Sequence, residues 1–93
     1  MREIYFGNFR SFVVQHIRRI DEVAYEVDSI EWFLLMYLRR VVKSTEHEDA
    51  PTRVEGSIRS MVRFYVDNID EQSELGEQCM KIYEEYRKTL RQD

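Results

Sequence analysis

From Phe9 onward the apolar positions recur in alternating steps of four and three. Phe9, Val13, His16, Ile20, Val23, Val27, Ile30, Leu34, Tyr37 and Val41 form one unbroken seam. Only an α-helix places such positions on a single face, and a mean step of 3.5 residues is the heptad spacing of helices packed along their length. No glycine or proline falls between Asn8 and Ala50. The spacing therefore predicts a helix over about 8–45, with Asn8 as N-cap, roughly 55 Å long at 1.5 Å per residue. Its weak point is Asp28-Ser29, where Glu31 follows Asp28 by three in capping-box spacing, so a break near 28–29 is the alternative.

Pro51 disfavours helix at Ala50, and Thr52 with Glu55 offers a second capping box. A second helix is expected over about 53–91. Its seam is Val54, Ile58, Met61, Tyr65, Asn68, Gln72, Leu75, Cys79, Ile82 and Tyr86. Apolar character fails at Asn68 and Gln72, so either two polar layers are carried or the helix breaks at 67–70, with Asp70 capping a new helix. Ile4, Tyr5 and Phe6 are expected to dock on the core as a lead-in.

The fold class implied is all-α: a long antiparallel helical hairpin, or the same hairpin broken mid-way into a four-helix bundle. Folding one seam onto the other pairs position i with about 99 − i, so that Val41 faces Ile58, Leu34 faces Tyr65 and Val13 faces Tyr86. Trp32–Leu38 is the longest apolar run. Its seven residues span only about 10 Å as a helix, well short of the ~20 residues of a membrane span, and Arg39-Arg40 follow directly. A helix apolar on every side needs neighbours on more than one side. In a two-helix hairpin the stripe Tyr25, Trp32, Met36 would face water, so a homodimer is the expectation.

Charge is segregated along the chain. Residues 20–38 hold Asp21, Glu22, Glu26, Asp28 and Glu31; residues 64–80 hold Asp67, Asp70, Glu71, Glu74 and Glu77; neither stretch has Lys or Arg. In the hairpin these ten carboxylates form an equatorial belt. Arg39, Arg40, Lys43, Arg53, Arg59 and Arg63 gather toward one end; Arg2, Arg10, Arg18, Arg19, Lys81, Arg87, Lys88 and Arg91 gather toward the other. A net charge of −4 gives no global field for nucleic acid, and a nucleic-acid regulator would have to use the Arg-rich ends alone.

Catalytic chemistry finds little purchase. His16 lies in the apolar seam, where the expected partner is a tyrosine hydroxyl, and Ile17-Arg18-Arg19 lack the acidic residue and proline of a phosphotransfer H-box. Asp28-x-x-Glu31 and Glu71-x-x-Glu74 could hold Mg²⁺ as in all-α nucleotide pyrophosphohydrolases, but those place Glu-x-x-Glu ahead of their second pair, the reverse of the order here. His47 belongs to a polar turn. The lone Cys79 forms no internal disulfide and reads as a reduced core residue of a cytoplasmic protein. Residues 1–20 hold no continuous apolar segment of the signal-peptide kind. The expectation is a small non-enzymatic regulatory protein without cofactor or metal. It would act by protein–protein contact through Tyr25, Trp32 and Met36 and the carboxylates Glu22, Glu26, Glu71 and Glu74, on a basic partner. A metal-dependent hydrolase using the same carboxylates is the rival.

Overall fold

The computed structural model describes residues 4–91, so Arg2 lies outside the described residues. The chain is all-helical: α1 (Gly7–Asp21), α2 (Ile30–Thr45), α3 (Ala50–Asn68) and α4 (Glu74–Leu90), with no strand among the described residues. Neither long helix is continuous. An unbroken helix over 8–45 would need roughly 55 Å, and the described residues extend only 43 Å in their longest dimension.

Both breaks fall at or beside the weak points in the sequence, but other residues cap them. Ser29, not Asp28, caps α2: its Oγ accepts from the Trp32 backbone N–H at 3.2 Å. Asp28 instead takes a left-handed backbone, φ 67°, a conformation that Asp tolerates better than most side chains. Ser73, not Asp70, caps α4, its Oγ accepting from Gly76 N–H at 3.0 Å. Asp70 closes the preceding turn, Oδ1 accepting from Gln72 N–H at 2.9 Å. Asn68 and Gln72, placed on the second seam by spacing, end α3 and occupy the turn, so no buried polar layer has to be carried. α3 begins at Ala50, earlier than Arg53, because Pro51 falls in its first turn, where a missing N–H costs nothing. α1 begins at Gly7, one residue before the expected cap at Asn8.

The breaks let α1 fold back on α2. Contacts run α1–α2, α2–α3, α3–α4 and α4–α1. Their directions are set by named pairs. Arg10 pairs with Glu46 across α1 and the end of α2. Ser44 and Ser57 share a hydrogen bond of 2.5 Å across α2 and α3, and Tyr37 packs on Phe64 with centroids 5.0 Å apart. His16 Nδ1 and Gln78 Oε1 lie 3.2 Å apart, and Phe9 and Tyr86 centroids 5.9 Å, across α1 and α4. Each of these neighbouring pairs runs antiparallel. The residue numbers of these α1–α4 and α2–α3 pairs sum to between 94 and 101.

The core takes Phe9, Val13 and Ile20 from α1 and Leu34, Leu35, Leu38 and Val41 from α2. Val54, Ile58, Met61 and Tyr65 come from α3, and Cys79, Ile82 and Tyr86 from α4. Phe6 joins it edge-on to Phe9, whereas Tyr5 points outward. α2 is covered on two sides by its own chain, through α1 and α3, but the stripe for which a second subunit was expected stays partly open, with Met36 exposed and Tyr25 and Trp32 half-buried.

Candidate functional site

The antiparallel pairing changes where the charges lie. The connections 22–29 and 69–73 both fall at one end of the helices, and the connection 46–49 falls at the other with the start of α1 and the end of α4. The ten carboxylates therefore form an end rather than a belt around the middle. Of the two Arg-rich groups, expected at opposite ends, Arg10, Arg87, Lys88 and Arg91 come to the end that holds Lys43, Arg53 and Arg59, with Glu46, Glu48, Asp49, Glu55, Glu84 and Glu85 interspersed among them, whereas Arg18 and Arg19 close α1 at the acidic end and Arg39, Arg40, Arg63 and Lys81 lie between.

Local forces favour the acidic end. Glu31 lies in the first turn of α2, and Glu74 and Glu77 in the first turn of α4, where the positive pole of each helix stabilises a carboxylate. Arg18 and Arg19 close α1, complementing its negative C-terminal pole, but α3 ends with no basic residue. Two ion pairs reach this end, Arg39 with Asp21 at 3.7 Å and Lys81 with Glu77 at 3.3 Å; both are solvent-exposed and contribute little stability.

Sequence spacing missed the apolar side chains at this end. Val23, Val27 and Ile30 continue the first seam on paper, yet Val23 is 64% and Val27 72% exposed, and Ile30 is also exposed. The α1–α2 break lifts them off the core. Val66, on the outer side of the last turns of α3, is 70% exposed. Branched aliphatics and carboxylates thus alternate in sequence and share one end.

The expected site residues divide into two groups. Glu22 and Glu26 lie in the α1–α2 connection, Glu71 in the α3–α4 connection and Glu74 in the first turn of α4, all exposed at the acidic end. Tyr25 is half-buried there and donates from its hydroxyl to Asp21 Oδ1 at 2.6 Å. That acceptor bond and the Asp21 charge raise the phenol above its ordinary value. Trp32 and Met36 run away from this end along α2. Trp32 is half-buried and meets Phe33 edge-on at 4.9 Å, beginning an aromatic row that continues from Phe33 to Phe64 and Tyr37; Met36 is exposed.

His16 is buried between Phe12 and Gln78, its partner an amide rather than a tyrosine hydroxyl, and burial lowers its pKa. Burial pushes the Cys79 thiol up to about 12, which leaves it protonated and inert. Among the described residues no three His, Cys, Asp or Glu side chains converge as metal ligands. No helix among them is long and apolar enough to cross a membrane. Comparison with known protein families, with curated proteins and with solved structures finds no match to this chain.

Proposed function

We propose that the chain is a self-contained antiparallel four-helix bundle acting as a cytoplasmic interaction protein, whose acidic end captures a basic amphipathic segment of a partner protein. The observation that supports this most directly is the exposure of Val23, Val27 and Val66 among ten carboxylates. Water-exposed aliphatics gain on burial, up to about 1.5–3 kcal/mol for a fully buried Val. Surrounding like charges destabilise the free protein and select a partner of opposite sign. Glu22, Glu26, Glu71 and Glu74 supply the charge; Tyr25, Trp32 and Met36 extend the surface along α2.

The test uses a fluorescein-labelled 18-residue helical peptide of alternating Leu and Lys faces. Anisotropy should show saturable binding, weakened at least tenfold when Glu22, Glu26, Glu71 and Glu74 are all changed to Gln. Undiminished binding by that variant would refute the acidic end as the site.

A homodimer remains part of the proposal in a narrower form. Its support is the residual apolar face of α2 and α3, with Met36 exposed and Trp32, Phe33, Tyr37 and Phe64 half-covered.

A further inference from the structure

A concave surface lies outside the acidic end, between the middle of α3 and the second half of α4. This cleft has a volume of about 960 Å³, at the upper end of the range for small-molecule sites. It is open because α3 presents no bulk toward it over one turn. A Cβ added to Gly56 would meet nothing within 4 Å, and Ser60, one turn on, returns its hydroxyl to the Gly56 carbonyl at 3.2 Å. Ile58 and Val62 form an apolar floor with the rings of Tyr83 and Tyr86.

The charged groups of the cleft are mostly cationic. Arg59, Arg63 and Arg87 line it against the single carboxylate of Glu55. Glu55 is engaged by Arg59 at 3.1 Å. Among the described residues no carboxylate pairs with Arg63 or Arg87, and Arg87 lies over the Tyr83 ring at 6.0 Å. Two guanidiniums thus line an apolar floor without an ion pair, although Arg87 also borders the adjoining groove that holds Glu84 and Glu85. In a chain of net charge −4, this arrangement is not a by-product of overall basicity. Guanidinium forks bind carboxylate, sulfonate or phosphate oxygens in pairs, and the floor accepts a hydrocarbon body.

We propose that the α3/α4 cleft binds an amphipathic organic anion, a single acyl chain bearing one acidic head, with the head on Arg63 and Arg87 and the chain over Ile58, Val62 and Tyr83. The inference is independent of the acidic end.

Dodecanoate, kept below its micellar concentration, is titrated calorimetrically into the purified chain, with displacement of anilinonaphthalene sulfonate as a second readout. The proposal expects saturable binding of one anion per chain, weakened at least tenfold in Arg63→Ala and in Arg87→Ala, and at least tenfold weaker binding of neutral dodecanol. Gly56→Leu should abolish binding by filling the cleft while the melting temperature holds or rises, since no neighbour is displaced. Binding should survive the Gln replacements at the acidic end. Absence of saturable dodecanoate binding would overturn the proposal, as would equal affinity for dodecanol or undiminished binding by a folded Gly56→Leu chain.

Discussion

Two helical glycines should respond to the same substitution with opposite sign. Gly56 lies inside α3, exposed, with open space where a Cβ would go. Gly56→Ala should therefore gain the helix-propensity difference, about 1 kcal/mol. Gly76 lies in the first turn of α4, buried against the α3–α4 turn. A Cβ there would collide with the Asp70 carbonyl oxygen, 2.9 Å from Glu71 Cα and 3.0 Å from its carbonyl carbon. These are backbone atoms, held by the Ser73 cap and the Asp70 turn, and cannot rotate away. Overpacking costs typically about 1–3 kcal/mol, and the propensity gain of about 1 kcal/mol offsets part of it, leaving a net loss of up to about 2 kcal/mol. For a domain of this size each kcal/mol moves the melting temperature by about 4–8 °C, so the two variants should differ by at least about 4 °C. Thermal and urea unfolding followed by circular dichroism at 222 nm measures both. A Gly76→Ala chain stabilised as much as Gly56→Ala would refute the close approach of the turn to α4.

Other perturbations have equally definite outcomes. Burial lowers the His16 pKa, so the unfolded chain binds the proton more tightly. This contribution is fully present above the unfolded value of about 6.5 and is lost as pH falls toward the folded pKa. The melting temperature should drop between pH 7.5 and 5.5, and less in His16→Gln. Leu38→Ala should cost about 2–5 kcal/mol in urea unfolding, because Leu38 is fully buried where α2 meets its neighbours. With a thiol pKa of about 12, Cys79 is thiolate in only about one molecule in ten thousand at pH 8. Ellman's reagent should react with the unfolded chain and not measurably with the native one over minutes. Millimolar Mg²⁺ or Mn²⁺ should shift the melting temperature no more than NaCl at matched ionic strength; a saturable extra shift would revive the metal-dependent hydrolase.

The sequence is legible where a residue's partner is determined by helical phase alone. Phe9, Val13, His16 and Ile20, then Val54, Ile58, Met61 and Tyr65, then Cys79, Ile82 and Tyr86 are all buried as spacing requires. Phase says nothing about continuity. The 4,3 spacing runs through residues 22–29, so Val23 and Val27 look like core although the chain has left the helix. Only the polar pair Asp28-Ser29 marks the break, and the capping partner proved to be Ser29. Leu35 and Leu38 lie off the seam and are buried nonetheless, because α2 is covered by α1 as well as α3. The same folding back of α1 turned a belt of charge into an end. The α3/α4 cleft depends on the absence of side-chain bulk at Gly56, which spacing does not report.

The most direct test of the acidic end is a backbone amide titration by two-dimensional ¹⁵N NMR with the Leu/Lys peptide. The account predicts saturable shift changes concentrated in residues 21–31 and 66–77, leaving the Arg-rich end unmoved. Changes centred on residues 39–63 or 81–91, or an unperturbed spectrum at saturating peptide, would contradict it.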